Sequence, residues 1–421
     1  MRVHLDYGVS GLDVELPEQG ITVIEPFSRA EVPDPRAALR AAMQAPMGRP
    51  PLRDVVKPGQ SMAISVCDIT RAQPRRETLE AIFAELPDVR AEDVTILIAT
   101  GTHRTNTPAE IEKMLGAEIA RRCKVVNHDS REASSLIYVG KTSTGVPVHM
   151  NRIWMAADVR ITTGFVEPHF FAGFSGGPKM VAPGLAGLDT VLVLHDAVRI
   201  AHPNATWGVT EGNPIHDDVR EIARMIGVHF SVDVTLNRAQ KITAVFAGDL
   251  FTEHRAACEA AKRDAMQPVD APFDVVLTTN SGFPLDQNLY QAVKGMSAAA
   301  KVVKRGGTIV CAAGCSDGLP SHGSYGEVLA SQPSPEKLLE MICAPGYSRP
   351  DQWQVQIQAQ IQTKAKVLVK TAGLTPDAVR AAHFHPIEDV VDAVSSAMRS
   401  AGPSARLCVL PQGPQTIPYL R

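Results

Sequence analysis

Residues 167–187 read Glu-Pro-His-Phe-Phe-Ala-Gly-Phe-Ser-Gly-Gly-Pro-Lys-Met-Val-Ala-Pro-Gly-Leu-Ala-Gly, and this one stretch holds three kinds of chemistry. Lys179 is an amine nucleophile or a partner for an anion. His169 is a general acid or base, and Pro168 fixes the backbone just before it. The Ser175-Gly176-Gly177 turn leaves backbone N–H groups uncovered, a cradle for a phosphate. The spacing looks superficially like a nucleotide-binding P-loop, but Pro178 precedes the lysine and Met180 follows it where Gly and Ser or Thr belong. A pyridoxal Schiff base on Lys179 stays open, although nothing else signals that fold. His195, with Asp196 beside it, ends the apolar run 191–194. It is either a structural histidine or a metal ligand whose imidazole Asp196 orients.

Two further turns carry candidates. Asp68-Ile-Thr70-Arg71 places an acid, a hydroxyl and a guanidinium together, able to grip a ribose, phosphate or carboxylate. The plainer alternative is a cap for the helix that follows. Thr100-Gly101-Thr102-His103-Arg104 offers a histidine on a glycine-containing turn, either an acid–base group or a loop hydrogen bond. Arg104 either holds an anion or caps its own loop. Downstream, Tyr290, Gln291 and Lys294 open a helix, with Tyr290 and Lys294 on one face. That set suits carboxylate binding as well as a solvated surface. Trp353 is a cleft residue or a core anchor. His216, Asp217 and Asp218 read as a solvated helix start.

The elements that must position these residues alternate. Runs 61–67, 94–99, 159–163, 274–278 and 307–311 are short, apolar and β-branched, the mark of buried strands. Segments 74–86, 107–115 and 285–303 read as helices between them. The expected fold is therefore α/β, with mainly parallel sheets flanked by helices in two domains and an active site in the cleft between them. Ligands in such folds gather at the carboxyl ends of strands. Asp68, His103, His169 and His195 each follow an apolar run. The Pro-containing stretch 262–273 suggests a boundary, giving an N-terminal cofactor-binding domain over 1–268 and a C-terminal α/β domain over 269–421. The strand-like run 406–411 can return to either domain. The Pro-rich first fifty residues are expected to wrap the surface.

At 421 residues, 44% hydrophobic and 21% charged, the chain can build two or three cores. A net charge of −3 and 5% aromatic residues argue against a nucleic-acid or anionic-membrane surface. Seven scattered cysteines, an odd number, do not make a disulfide framework and suggest a reducing, cytoplasmic setting. No apolar run reaches the length of a membrane helix, and the first residues lack a signal-peptide core.

The stretch around Lys179, with the His103 turn, the Tyr290-Gln291-x-x-Lys294 element and the Asp351-Gln-Trp353 segment, resembles the lactate racemase family. The resemblance spans most of the chain. It implies a racemase or epimerase acting at C2 of a small α-hydroxy acid, by hydride transfer to and from a nickel-pincer nucleotide. That cofactor is the nickel complex of pyridinium-3,5-bisthiocarboxylic acid mononucleotide, joined to Lys179 through a thioamide. The resemblance further implies that His195 completes the nickel coordination and that His103 and His169 are the acid–base pair. Asp68, Thr70, Ser175, Gly176, Gly177 and Tyr290 would contact the cofactor, while Arg71, Gln291, Lys294 and Trp353 would bind substrate. Enzymes that make and insert the cofactor are implied partners. Two other readings remain: a pyridoxal- or nucleotide-dependent lyase or isomerase using Lys179, and a non-catalytic binding protein for hydroxy acids or nucleotides.

Overall fold

A computed structural model describes every residue except Glu18, Ser321 and His322. The chain forms two compact α/β units. One comprises Ser28–His195 and His202–Asp264; the other comprises Met1–Phe27, Asp196–Ala201 and Ala265–Arg421.

The first unit is built on a six-stranded sheet in the order Ile242–Gly248, Phe230–Leu236, Val159–Phe165, Met62–Cys67, Val94–Ala99, Lys124–Asn127. All neighbours run parallel except the first pair. Met62–Cys67 is buried at every position, as a strand covered on both faces must be. Ile64, Val66, Ile96, Ile98, Ile161 and Val232 share one core with Leu79 and Ile82 of helix Arg75–Glu85. Each such side chain contributes roughly 1.5–3 kcal/mol when fully buried. Helix Pro108–Leu115 begins on a capping box in which Thr107 and Glu110 each bind the other's backbone.

The second unit carries a fully parallel sheet in the order His385–Pro386, Lys366–Lys370, Val303–Ala312, Phe273–Thr279, Leu407–Leu410, Ile21–Val23. Its last strand comes from the opposite end of the chain. Residues 1–50 are therefore structural rather than a wrapping: Ile21–Val23 closes this sheet, while Leu39 and Met43 of helix Pro35–Gln44 are fully buried in the core of the first unit. Strand Leu407–Leu410 belongs to the C-terminal sheet. Strand Met266–Val269, in the stretch read as a boundary, pairs in parallel with Ile417–Leu420. No helix among the described residues is long and apolar enough to cross a membrane.

Candidate active site

Asp68, His103 and His169 follow three strands that are neighbours in one sheet: Met62–Cys67, Val94–Ala99 and Val159–Phe165. Because the three run parallel, their following loops leave from the same edge.

The Asp68 turn is held from behind. Arg75, itself buried, donates to the carbonyl oxygens of Cys67 at 2.8 Å and Arg71 at 2.6 Å, and also to that of Asp68. Gln73 accepts the Cys67 N–H at 2.7 Å and donates to Thr163 at 2.8 Å. Nothing in the sequence singled out either clamp residue. The Asp68 carboxylate, only 2% exposed, accepts from the Thr70 hydroxyl at 2.6 Å and meets His103 Nδ1 at 2.6 Å. Burial opposes its ionisation, but the His103 hydrogen bond and charge, with Arg71 and Thr70, overcome that and hold its pKa well below the usual carboxylate range. Asp68 thus joins Thr70 to His103. An acid on Nδ1 fixes the tautomer, so neutral His103 keeps its lone pair on Nε2. Arg104 chelates Glu110 at 2.8 and 2.6 Å, which makes it a loop cap.

His169 lies in a small hairpin, Pro168–His169 against Gly173–Phe174. Its Nδ1 accepts the Ala172 N–H at 3.3 Å, so the neutral ring carries its proton on Nε2. The two histidines are accordingly set in opposite tautomers.

Phe171 sits at the centre of the group. Its ring lies 4.5 Å from that of His169 and 5.1 Å from that of His195, both edge-on, and Lys179 Nζ is 5.9 Å from its centroid. Three of the residues expected to do chemistry thus surround one buried aromatic ring. His195 ends helix Leu188–Leu194 instead of following a strand: Val191 and Leu194 face inward, one helical turn apart. Its Nδ1 donates to the Val191 carbonyl at 2.7 Å, which leaves the lone pair on Nε2, as a metal ligand requires. Asp196, expected to orient this ring, instead binds Arg199 through its backbone N–H at 2.8 Å and its guanidinium at 2.5 Å.

The Ser-Gly-Gly turn differs from the anion cradle expected of it. The Gly177 N–H is spent on Asp233 at 2.7 Å. A side chain on Gly176 would collide with Val166 and Asp233, and one on Gly177 with the His254 ring at 2.4 Å. The Ser175 hydroxyl donates to the Phe165 carbonyl at 2.9 Å and accepts the Glu167 N–H at 3.0 Å. These three residues shape the turn that presents Lys179. His216 is 2% exposed, not solvated: its ring stacks on His254 at 5.8 Å, and Nδ1 donates to the Ala172 carbonyl at 3.1 Å. Asp218 is buried too and binds Thr144. Among the described residues, no group of three or more His, Cys, Asp or Glu side chains is arranged to hold a metal.

In the second unit, Asn288 caps helix Leu289–Ala300 by accepting the Gln291 N–H at 3.0 Å, which sets the helix start carrying Tyr290, Gln291 and Lys294. Asp286 pins the loop before it, accepting N–H groups of Gly8 at 2.8 Å and Gly314 at 2.6 Å. Trp353 Nε1 donates to the Tyr290 hydroxyl at 3.2 Å, and Gln354 donates to the Tyr290 carbonyl at 2.5 Å. Trp353 and Tyr290 are thus brought together.

Acid–base side chains leaving one sheet edge, with His169 and an amine on one aromatic ring, are those of an α/β enzyme. Residues 7–208 match the lactate racemase N-terminal domain, and residues 269–417 match the lactate racemase C-terminal domain. The chain is 34% identical to the lactate racemase of Thermoanaerobacterium thermosaccharolyticum across 99% of both proteins. It is 35% identical to that of Lactiplantibacillus plantarum across 88% of both. The lactate racemase apoprotein structure from T. thermosaccharolyticum superposes with a TM-score of 0.92 at 32% identity, covering 99% of this chain and 100% of that one. A Thermotoga maritima protein shares the fold, with a TM-score of 0.70 at 18% identity over 93% of this chain and all of the other. The chain belongs to the lactate racemase family, and is with it an isomerase.

Proposed function

We propose that the protein inverts the configuration at C2 of an α-hydroxy acid, with His103 and His169 as the acid–base pair and a nickel-pincer nucleotide carried on Lys179. The observation that carries this reading is the Phe171 ring, which gathers His169, His195 and Lys179. The donor set suits the cofactor: an amine for the covalent link, and an imidazole whose Nδ1 is already committed to Val191. When bound, the nucleotide supplies the hydride acceptor and donor. His103 Nε2 takes the hydroxyl proton, and Asp68 stabilises the imidazolium that results. Protonated His169 returns a proton from Nε2 once C2 has been rebuilt with the opposite hand, a state in which Nδ1 carries a proton and releases the Ala172 N–H. For the other enantiomer His103 is the protonated ring and neutral His169, with its proton on Nδ1 and its lone pair on Nε2, is the base. Arg71 and Lys294 hold the substrate carboxylate, with Gln291 and Trp353 as further substrate residues and Tyr290 on the cofactor. Phe170, Phe171 and Phe174, all buried, exclude water from this chemistry.

The names of its relatives make lactate the first substrate to assay, followed by longer, aromatic and polyhydroxylated 2-hydroxy acids. Seven free cysteines, six of them buried, suit a cytoplasmic enzyme that receives its cofactor from dedicated synthesis and insertion enzymes. Protein co-expressed with those enzymes should exceed its sequence mass, and Lys179→Ala should abolish the increment. An adduct that survives the substitution refutes the role of Lys179. Polarimetry on enantiopure lactate then tests turnover: loaded wild type should racemise it, while His103→Ala and His169→Ala keep the adduct and lose the rate.

A further inference from the structure

Beneath the lysine turn lie two acids that the reaction does not use. Asp233, on strand Phe230–Leu236, and Glu253, on helix Leu250–Ala265, are both 0% exposed. Asp233 Oδ2 accepts the Gly177 N–H at 2.7 Å, and Glu253 Oε1 accepts the Ser231 hydroxyl at 2.6 Å. As two carboxylates they would each bury one oxygen with no donor, Asp233 Oδ1 and Glu253 Oε2. Such orphans are costly in a low-dielectric interior. A single proton between the two groups, which lie within hydrogen-bond reach of each other, satisfies both oxygens at once.

We propose that Asp233 and Glu253 share one proton and through it clamp the Gly176-Gly177 turn, making them positioning residues for Lys179. The next residue of the helix acts on the same turn: His254 Nε2 donates to the Ser175 carbonyl at 2.8 Å, and its ring fills the space a Gly177 side chain would need. One helix thus grips the turn at two successive residues, and Asp233 couples that grip to the sheet.

Burial, and for Glu253 also the neighbouring Asp233 charge, raises both acids, Asp233 to about 7. A group raised above its unfolded value adds stability at low pH and loses it as pH climbs through the folded value. With Asp233 ionising near 7 and Glu253 holding its proton well above the ordinary carboxylate range, the pair carries one shared proton from about neutrality upward, and the clamp weakens as pH rises toward the value at which that last proton leaves. Other titratable neighbours stay constant over this range. His254 and His216 are held neutral by burial, with values near 4 and 3. The Cys67 and Cys258 thiols are pushed far up by burial. Asp249 adds a fixed negative charge near Glu253, and Lys179 a positive one near the histidines.

The test uses full-length protein without cofactor, so its outcome does not depend on what Lys179 carries. Hydrogen exchange at the Gly177 amide is followed from pH 6 to 9, alongside thermal unfolding. In wild type, protection should fall by up to about tenfold per pH unit for each proton held as pH rises toward the raised values, beyond the intrinsic rise in exchange, and level off once the shared proton has left. Glu253→Gln supplies a permanent N–H to Asp233 Oδ1 in the same shape, and should remove that extra fall. Its midpoint temperature should overtake the wild type by roughly 3 °C or more at pH 9. Glu253→Ala should loosen the Gly177 amide at every pH if it folds. Parallel pH profiles for wild type and Glu253→Gln would overturn the shared proton.

Discussion

The Asp68–His103 pair shows how much a single hydrogen bond decides. His103 is legible in the sequence as a histidine on a strand-end turn, and its partner is readable only as an acid on a neighbouring turn. That they touch depends on the adjacency of two strands separated by 26 residues of chain, which no local pattern encodes. Asp68→Asn should cut turnover by about 10²–10⁴, because the amide presents a donor and favours the wrong imidazole tautomer. The adduct mass should be unchanged. Asp68 also stabilises the fold: its depressed pKa contributes above the unfolded carboxylate range, and that contribution is lost as pH falls below about 4. Acid unfolding of wild type should accordingly be steeper between pH 4 and 2 than that of Asp68→Asn, as circular dichroism would record. Asp233 and Glu253 were illegible for a related reason. Each is an isolated acid in sequence, and only burial on facing elements makes them a pair.

Among the elements, the buried strands could be read directly, since continuous apolar runs between turns leave little choice. Helix Gln352–Lys364 could not be judged this way. Its apolar residues alternate with glutamines, the period of a strand, yet it is a helix with Gln354, Gln356 and Gln358 almost wholly buried. Glutamine amides reach the carbonyls of Tyr290, Ala197 and Ala382, so polar positions can face inward. The lysine turn was read as an anion site because glycines suit close approach, and that is true. Its close protein neighbours are Asp233 and His254. Gly177 adopts a positive φ of 48°, and a methyl group there would meet the His254 ring. Gly177→Ala should cost on the order of 1–3 kcal/mol in urea unfolding and reduce adduct formation at Lys179. His195→Ala, at a helix end away from that turn in sequence, should keep the adduct but lower the nickel retained on metal analysis.

At the scale of the whole molecule, length and composition pointed to more than one core, and the alternation of elements to an α/β fold with parallel sheets. The path of the chain through them was not readable, because a three-residue strand such as Ile21–Val23 carries too little pattern to name its partner. Deleting residues 1–27 should bare the edge of strand Leu407–Leu410 and yield protein that aggregates, as light scattering would detect. A variant that stays monodisperse would show that edge to be protected by other means. The same pairing has a bearing on how the protein is made. Ile21 emerges from the ribosome long before Leu407 exists, a gap of roughly 20–80 s at about 5–20 residues per second. Through that interval the first residues have no sheet to join, while segments 28–195 and 202–264 are already out and able to assemble. A nascent chain of this enzyme therefore trails an unmet strand at Ile21–Val23 until Leu407–Leu410 is translated.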